Sequence, residues 1–464
     1  MNIKNYILIF ITAGVLGSGC KKGFFDINVS PNSPEEATPA LVLPSGVAGS
    51  AFVFGGYYQA VGAYWTQQYT QAPGASQWAS WESYNLTDND FDRQFTLLYA
   101  GALYDYKYVK TMASAAGNWK FYAIAGLMQA YTFQVLADVY DKIPFSDALN
   151  GEGNLQPKYD DGPAVYEGIL ALIDDALSKD FTASTVKDPG TTDVIFGGNM
   201  AKWQQFANTL KLKIYLRYVN VDANKYATQI KALLDENNFL AEDAAFTSFK
   251  DQETGYNPFY NTFVSRLAGN VIANTTLMSW LTEHDDARRG GIYKASETGN
   301  AWTSLNTGDF QTTPGATIKN YATPNINSTY PVYFFTKEEV LFLVAEAEAR
   351  YGTAAKAKAA FDAGVEASFK SFGLAGDAIV YPYNGIPSII EQKWVAAANK
   401  RALEAFFDYN RTGYPANTFT KSKTSIWTND DRPKRFFFPA SERKSNSNTP
   451  SRVDLNVPVW WAKK

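Results

Sequence analysis

Residues 332–350 read VYFFTKEEVLFLVAEAEAR, and this stretch carries the clearest fold signal in the chain. Thr336 and Glu339 form a capping-box pattern, in which two side chains satisfy free backbone groups at the start of a helix. Apolar residues then recur with helical spacing, at Val340, Val344 and Ala347. Gly352 breaks the pattern before a second apolar series begins, so this part of the chain predicts a helical hairpin.

The same alternation of helical segments and short breaks continues towards the N-terminus. Helices are predicted around residues 91–109, 119–139, 163–177, 199–214, 222–237, 336–351, 361–372 and 388–412. Alanine recurs where two helix backbones would have to approach closely, which suits tetratricopeptide-like hairpins. A regular consensus repeat of about 34 residues is not visible. The predicted fold class is therefore all-α, a superhelix of about four divergent tetratricopeptide-like helix pairs.

Composition excludes several classes of function. The chain has 464 residues, of which 46% are hydrophobic, as in an ordinary globular protein. Its 42 basic and 46 acidic residues provide no positive field, so nucleic acid is not an expected partner. One cysteine and one histidine cannot form an internal disulfide or the usual zinc sites, and no metal or cofactor is predicted.

Two small clusters of charged residues could suggest chemistry. Three carboxylates, at Asp88, Asp90 and Asp92, alternate as in a calcium loop. Arg93 stands where such a loop needs glycine and Tyr99 where it needs glutamate, so helix capping is the preferred interpretation. The single histidine, His284, lies among acidic and basic neighbours and is interpreted as part of a charged helix end.

The first twenty residues are typical of an export signal. Lys4 provides a positive charge, residues 6–15 form a short apolar run, and small residues precede Cys20. A lone cysteine here is typical of a bacterial lipoprotein, in which residues 1–19 are removed and Cys20 carries acyl chains. The alternative is a plain secretory signal with Cys20 incidental. Residues 20–45, rich in Pro, Asn and Ser, are predicted to be a tether.

The rest of the chain divides by its periodicity into four segments. Helical pairs are predicted in residues 46–240 and again in residues 334–411. Residues 241–333 are rich in Gly, Asn and Thr and lack a regular period, as does the tail, residues 412–464. Long irregular segments are often functional, so residues 241–333 are predicted to be an insertion that contributes to a ligand-binding face.

Six blocks of sequence, taken in order, resemble one known family. They are FFDINVSPNSPEEATPALVLPSG (24–46), QVLADVYDKIPFSDAL (134–149), TTDVIFGGNMAKWQQFANTLKLKIYLR (191–217), VYFFTKEEVLFLVAEAEAR (332–350), IIEQKWVAAANKRALEAFFDYNRTGYP (389–415) and RFFFPASERKSNSN (435–448). The ordered set resembles the SusD/RagB family of outer-membrane nutrient-binding lipoproteins of Bacteroidota, in particular its SusD-like branch. The likeness extends over essentially the whole chain from Cys20 onwards.

The resemblance implies a non-catalytic protein of the cell surface. Members of the family bind glycans on a frame of four tetratricopeptide-like helix pairs with a loop-rich face, and they are not enzymes. The resemblance also implies an anchor in the outer membrane through Cys20, an outward orientation, and a SusC-like TonB-dependent transporter that receives the oligosaccharide. Within the quoted blocks, Glu346, Arg401 and Glu404 are expected to form ion pairs between helices.

Sugar recognition combines aromatic rings, which stack on the apolar faces of pyranoses, with planar polar side chains that bond hydroxyls. The loop of residues 77–85 offers both, and family members that bind starch-like glycans set such a loop against aromatic residues of the central insertion. The candidate ligand-binding residues are therefore Trp78, Trp81, Tyr84, Asn85, Tyr256, Tyr260, Tyr293 and Trp302. The alternative is that these rings hold long loops in place and contact no ligand.

Two other functions remain open. A carboxylate-dependent glycoside hydrolase would need two acids about 5–10 Å apart, and Asp138, Asp141 and Asp160 are available. A member of the same family could instead bind peptide. Because the acids lie on predicted helix faces and not in the aromatic loops, a binding protein with no catalytic residues is the preferred prediction.

Overall fold

Helices form the frame of the molecule, as the sequence predicts. The computed structural model describes residues 37–314 and 317–462, so the predicted signal peptide and Cys20 lie outside the described residues. The helices are α1 Pro39–Val53, α2 Gln59–Trp65, α3 Ala79–Ser83, α4 Asp92–Thr96, α5 Tyr104–Ala115, α6 Trp119–Tyr140, α7 Gly162–Leu177, α8 Met200–Arg217, α9 Ala227–Glu236, α10 Thr275–Glu283, α11 Arg288–Ile292, α12 Lys337–Tyr351, α13 Ala354–Ser371, α14 Ile386–Ala396, α15 Ala402–Thr412 and α16 Ala440–Ser445. The prediction of an all-α fold is confirmed.

Four successive helix pairs can be followed along the described chain. Helix α6 packs on α7, α8 on α9, α12 on α13, and α14 on α15. Contacts of α6 with α8, of α9 with α12 and of α12 with α14 join each pair to the next. This stacking of adjacent hairpins is the tetratricopeptide-like arrangement that the sequence predicts.

Capping hydrogen bonds at the helix starts explain why the sequence pattern predicts where these helices begin. Asn199 caps α8 by accepting from two backbone N–H groups of its first turn. Thr336 caps α12 by accepting from Glu339 N at 3.2 Å. The helix predicted from residue 388 begins instead at Ile386 and ends at Ala396, and a separate helix, α15, follows from Ala402. A proline sits in the first turn of α14, where its missing N–H costs no hydrogen bond.

The stretch Pro39–Trp65 is long and apolar enough to cross a membrane, and it is the one such helical stretch among the described residues. A π-helical turn, Phe54–Tyr58, joins α1 to α2 within it. Helix α1 packs on α5, and α2 crosses α15 so closely that a Cβ at Gly62 would lie 2.6 Å from the carbonyl carbon of Ala402. These contacts identify the stretch as a core helix of the frame.

The predicted tether, residues 20–45, overlaps the start of this core helix. Helix α1 begins at Pro39, where a proline at the first helical position loses no hydrogen bond. Leu43 and Val47, one helical turn apart, are buried on its inner face. The structure therefore moves this boundary to Pro39, and residues 20–36 of the predicted tether lie outside the described residues.

Eight short strands accompany the helices among the described residues. They are β1 Tyr69–Gln71, β2 Ile143–Pro144, β3 Tyr159–Asp160, β4 Ala244–Phe246, β5 Val271–Ala273, β6 Tyr293–Lys294, β7 Thr323–Pro324 and β8 Val332–Phe335. They form four antiparallel pairs, β1–β5, β2–β3, β4–β8 and β6–β7. The pair β1–β5 joins the insertion to the loop that follows α2, so the two irregular segments with predicted ligand-binding residues are held together at their base.

A buried network of charges occupies the centre of the helical frame. Arg217 on α8 pairs with Asp138 on α6 at 3.2 Å and with Glu404 on α15 at 2.8 Å. Lys213 also reaches Glu404, at 2.6 Å, and Arg401 reaches it at 3.1 Å. Helices α6, α8 and α15 are therefore joined by ion pairs that are almost wholly out of contact with solvent.

The network continues into helices α12 and α14. Arg411 pairs with Glu346 on α12 at 2.6 Å and with Asp408 at 3.0 Å, while Lys393 on α14 pairs with Asp408 at 2.8 Å. Arg401 completes the connection to α12 through Glu339 at 2.9 Å. Five cations face five carboxylates, namely Lys213, Arg217, Lys393, Arg401 and Arg411 with Asp138, Glu339, Glu346, Glu404 and Asp408.

Neighbouring charges set the protonation of this network. Burial alone would raise the pKa of Glu404, but the cations of Lys213 and Arg217 outweigh it and hold that pKa well below its ordinary value. The same competition, with Arg411 as the main cation, lowers the pKa of Glu346. Both carboxylates are therefore ionised throughout the neutral pH range, and the expected ion pairs of Glu346, Arg401 and Glu404 are present.

A further buried carboxylate, that of Glu82 on α3, joins the early loop to the insertion. It accepts hydrogen bonds from the Thr70 hydroxyl, from Gln71 N at 2.6 Å and from Gly308 N at 2.8 Å. Gly308 has φ of 87°, a conformation that favours glycine, and belongs to the insertion. Burial raises the pKa of Glu82 to about 7, although its three hydrogen-bond donors act in the opposite direction.

We expect Glu404→Gln to lower the free energy of unfolding at pH 7 by about 3–5 kcal/mol, because the change leaves the buried Lys213 without its carboxylate and removes one carboxylate from Arg217 and Arg401. The lowered pKa of Glu404 stabilises the fold above about pH 4.3, where the unfolded side chain is ionised, and this contribution is lost as the pH falls further. The deficit of the variant, measured by urea unfolding, should therefore shrink between pH 7 and pH 3.

Glu253→Gln is the matched control, since Glu253 is exposed in the loop after β4. It removes the same charge and should leave the urea midpoint close to that of the wild-type protein at both pH values. Equal midpoints for Glu404→Gln and the wild type at pH 7 would contradict the central role of the network.

We expect Glu82→Ala to destabilise the fold by about 3 kcal/mol, because it leaves three buried donors without an acceptor. Since the folded pKa of Glu82 is raised, its contribution is complete below about pH 4.3 and declines as the pH rises through 7. The difference in unfolding free energy between wild type and variant should therefore be larger at pH 5 than at pH 8.

Hydrogen exchange distinguishes a local effect of Glu82→Ala from a global one. The amides of Gln71 and Gly308 should exchange faster in the variant, while amides inside α12 should change only by the global loss of stability. Glu152→Ala, at an exposed position, serves as the control for removal of a carboxylate. Unchanged exchange at Gln71 and Gly308 would rule out Glu82 as the anchor of these loops.

Candidate functional site

The two predicted tryptophans of the early loop lie in the core and not on the surface. Trp78 is 4% exposed and Trp81 is 3% exposed, and their rings contact each other at 4.6 Å between centroids. Phe263 from the insertion packs on Trp78 at 4.8 Å, and Trp65 Nε1 donates to Trp81 O at 3.1 Å. Trp78 and Trp81 are therefore not available for stacking on a sugar in this structure, because they join the two irregular segments.

Two of the tyrosines predicted to bind ligand are also buried within the fold. Tyr84, with φ of 59°, ends α3, and its ring packs on Trp427 of the tail at 5.2 Å. Tyr293 is buried in the insertion, and its hydroxyl donates to Gln68 O at 2.7 Å. The rings of Tyr84 and Tyr293 are thus covered by residues distant in sequence, and the structure does not present them to a ligand.

The other four residues predicted to bind ligand have side chains that are partly or fully exposed to solvent. Tyr256 and Tyr260 are half-buried and meet edge to face at 5.1 Å. Trp302 is half-buried, with the Arg289 guanidinium 4.7 Å from its ring centroid. Asn85 is exposed at the end of the early loop. The structure thus brings the two tyrosines together, whereas Trp302 packs on the hydrophobic core beside Arg289.

A cleft of about 290 Å³, which the sequence did not predict, lies between the end of α10, the start of α14 and the segment after α15. Trp280 on α10 supports its wall, stacking on His284 at 4.1 Å and facing Tyr381 at 5.6 Å. Trp280 Nε1 donates to Glu391 Oε1 at 3.1 Å. The spacing of Trp280 and His284, one helical turn apart, is the signal that could have indicated this stack.

Polar groups at the back of this cleft are held by a buried ion pair. Arg288 pairs with Asp286 at 2.6 Å and donates to Gln392 Oε1 at 2.9 Å. Burial opposes ionisation of Asp286, but the bonds from Arg288 outweigh it and lower the pKa of Asp286. Gln392 Nε2 is buried and has no hydrogen-bond partner among the described residues. Stacked rings, a carboxylate and a free amide donor can bind a hydroxylated ring.

The carboxylates considered for hydrolysis have structural partners. Asp138 accepts from Arg217 Nε at 3.2 Å and from Trp461 Nε1 at 2.8 Å. Asp141 accepts from Trp460 N at 2.6 Å, and Asp160 accepts from Ser146 N at 2.7 Å. These bonds tie the tail and the loop after α6 to the frame, so the three acids are occupied in holding the fold.

The alternating aspartates of the early loop also point to separate partners. Asp90 accepts from Thr87 N at 2.7 Å, which is a local turn contact. Asp88 pairs with Arg443 at 2.6 Å, whereas Asp92 accepts from the backbone of the tail. Among the described residues, no group of three or more His, Cys, Asp or Glu side chains is arranged to hold a metal ion.

Comparison with known proteins identifies the relatives of this chain. The family model SusD-like_2, described as starch-binding and associating with the outer membrane, matches residues 50–439. A SusD homologue from Bacteroides uniformis superposes with a TM-score of 0.78 at 23% identity, covering 91% of this chain and 99% of that one. No curated protein matches the chain.

Two further solved structures share the fold over nearly their whole length. A SusD/RagB family protein from Bacteroides thetaiotaomicron has a TM-score of 0.75 at 20% identity and covers 92% of this chain and 99% of its own. A chitin-binding SusD homologue from Flavobacterium johnsoniae has a TM-score of 0.74 at 20% identity, with 91% and 98% covered. Since the family model spans most of its length, this chain belongs to the SusD-like family, whose members are binding proteins of the outer membrane and not enzymes.

Proposed function

We propose that this protein is a glycan-binding lipoprotein of the cell surface, which captures oligosaccharide without cleaving it and passes it to a SusC-like TonB-dependent transporter. The observation that carries the proposal is the family match over residues 50–439, with its description as starch-binding. The shared fold with a chitin-binding SusD homologue supports a carbohydrate ligand. The structural engagement of Asp138, Asp141 and Asp160 argues against hydrolysis.

The accessible rings of the insertion are the proposed sugar contacts. Tyr256 and Tyr260 offer a pair of half-buried phenol rings, and Trp302 offers an indole ring beside a guanidinium. Aromatic faces of this kind stack on pyranose rings, while Asn85 and Arg289 can bond hydroxyls. The enclosed rings of Trp78 and Trp81 then serve as the rigid base on which these loops stand.

The lipid anchor is a separate part of the proposal. Cys20 follows a short apolar export signal and is the one cysteine of the sequence. Acyl chains on this residue would hold the protein at the outer membrane, and two or more chains suffice for stable attachment. An outward orientation and a neighbouring transporter follow from the resemblance to the SusD/RagB family.

We expect Trp302→Ala and Tyr260→Ala each to weaken binding of a neutral oligosaccharide about three- to tenfold, the range expected for loss of one aromatic stacking contact. The measurement is calorimetric titration of the soluble chain with malto-, chito-, xylo- and laminari-hexaose, followed by chromatography to detect products. Release of shorter sugars would contradict the binding function, as would the absence of binding to every glycan tested.

Trp119→Ala is the matched control, because Trp119 is a half-buried tryptophan at the start of α6 in the helical frame. It should leave affinity for the bound hexaose unchanged. A further variant, Glu391→Ala, tests the cleft beside Trp280. Loss of affinity in Glu391→Ala, with wild-type affinity in the Trp302 and Tyr260 variants, would assign the sugar to that cleft instead.

We expect Cys20→Ser to move the protein from the membrane fraction to the soluble fraction, because serine cannot carry the thioether-linked lipid of a lipoprotein. The measurement is fractionation of cells that express the full chain, with detection of the protein in each fraction. Protease treatment of intact cells, with the wild-type protein as reference, reports the outward orientation. Continued membrane attachment of the serine variant would refute the lipoprotein interpretation.

A further inference from the structure

A groove runs along the contact between α5 and α6. The described residues of its lining include none from the early loop, 77–85, or from the insertion, 241–333. One stripe of α5 forms its first wall, with Lys107, Lys110, Thr111 and Ser114 at helical spacing. A stripe of α6 forms its floor, with Tyr122, Gln129 and Phe133. The loop of residues 145–150 and Leu172 on α7 close the other side. The groove therefore belongs to the rigid helical frame and has both polar and apolar linings.

The groove is large enough for a small molecule of several rings. Its volume is about 760 Å³, within the range of about 300–1,000 Å³ that is typical of ligand sites. Phe133 and Phe145 contact each other at 4.8 Å and provide an apolar wall. Hydroxyl groups of Thr111, Ser114 and Ser146 stand along the same groove. Apolar faces beside hydroxyls and amides suit a sugar better than a hydrocarbon chain.

Lys110 is the chemically distinctive residue of the groove. Its stem crosses α6 at Gly126, where Cε and Cδ lie 3.8 and 3.9 Å from the position of a Cβ. Its ammonium lies 5.0 Å from the ring centroid of Tyr122. Among the described residues, no carboxylate lies within ion-pair distance of Lys110. Burial lowers the pKa of Lys110, with Asp175 acting in the opposite direction, so the cation would gain from a closer anion.

The neighbouring charges do not supply that anion. Asp175 accepts from Lys179 Nζ at 2.6 Å and from the Tyr122 hydroxyl at 2.6 Å. Lys107 donates to Leu149 O and to Asn150 Oδ1, both neutral acceptors. The described residues that line the groove include two cations, Lys107 and Lys110, and no carboxylate, so the groove carries an excess of positive charge in a protein whose net charge is −4.

A second polar side chain without a partner among the described residues, that of Gln129, lies on the floor of the groove. Gln129 is 6% exposed, yet its amide makes no hydrogen bond to any described residue. Its side chain lines the open groove, where the amide can meet water or a ligand. An amide and an ammonium that lack partners within the described part of the chain leave hydrogen-bond donors in one groove available to a bound molecule.

We propose that this groove binds an oligosaccharide that carries an acidic group, a carboxylate or a sulfate. The acidic group would lie between Lys107 and Lys110, a hydroxyl would bond to Gln129, and a ring face would pack on Phe133. The proposal rests on the carbohydrate-binding function proposed above, but it assigns acidic sugars to a site separate from Trp302 and Tyr260. It does not depend on which neutral glycan those residues contact.

The test uses the soluble chain and calorimetric titration with acidic tetrasaccharides. The probes are galacturonate, guluronate and hyaluronate oligosaccharides for carboxylates and chondroitin sulfate for sulfate, with methyl-esterified galacturonate as the neutral match. We expect at least one acidic probe to bind and its neutral match to bind at least tenfold more weakly. Lys110→Met, which keeps the packing of the stem over Gly126, should weaken binding of that probe about tenfold or more, as expected for loss of a charge-assisted bond.

Three controls make the result specific to the groove. Lys358→Met removes a lysine from the exposed surface of α13 and should leave the affinity unchanged. Gln129→Leu should weaken binding while keeping the urea midpoint of the wild type. Raising the salt concentration should weaken binding of the acidic probe to the wild-type protein more than to Lys110→Met.

Each contrary outcome identifies which idea fails. Equal affinity of wild type and Lys110→Met for an acidic probe, with both folded, overturns the assignment of the groove. Failure of all acidic probes to bind also overturns it, whether or not neutral hexaoses bind through Trp302 and Tyr260. Binding of an acidic peptide or a fatty acid in place of every acidic sugar would show that the groove is anionic in specificity but not a sugar site, and would refute the proposal.

Discussion

The buried charge network constrains the whole molecule. Each of the four helix pairs contributes to it, through Asp138 on α6, Arg217 on α8, Glu346 on α12 and Glu404 on α15. Removing ions from water carries a large cost, which is recovered only when every charge has a partner at close range. The five cations and five carboxylates satisfy this condition in one arrangement of the helices. An apolar centre can accommodate small shifts of one pair against another, whereas such shifts here would separate buried ion partners.

A frame held in this way allows the loops to be long. The insertion has few regular elements of its own, and its position depends on contacts with the early loop. Glu82 joins that loop to Gly308, and the rings of Trp78, Trp81 and Phe263 fill the space between them. The aromatic residues inside the loops act as a local core, so the few rings left at the surface can be held rigidly enough to bind a ligand.

Local signals explain what the sequence could predict. Asn199 and Thr336 cap their helices through hydrogen bonds within the first turn, so the sequence alone can predict these caps. Burial is different, since Tyr293 is enclosed by Gln68, more than two hundred residues away in sequence. An aromatic loop residue gives no sign of whether a distant segment covers it. Half of the predicted ligand-binding set therefore turned out to be core, and the cleft beside Trp280 was not predicted.

The fully buried lysines elsewhere in the frame have carboxylate partners, and this makes the lack of a described partner at Lys110 informative. The three lysines that are fully buried among the described residues all have a carboxylate, Lys213 at 2.6 Å, Lys393 at 2.8 Å and Lys400 at 2.7 Å. Lysines on the surface need no such partner, because water solvates them. Lys110 lies between these cases: its stem is packed against α6, its ammonium is partly withdrawn from water, and the nearby Asp175 is engaged by Lys179. Because the fully buried lysines all have a carboxylate partner, a partner for the partly withdrawn Lys110 is best supplied from outside the chain.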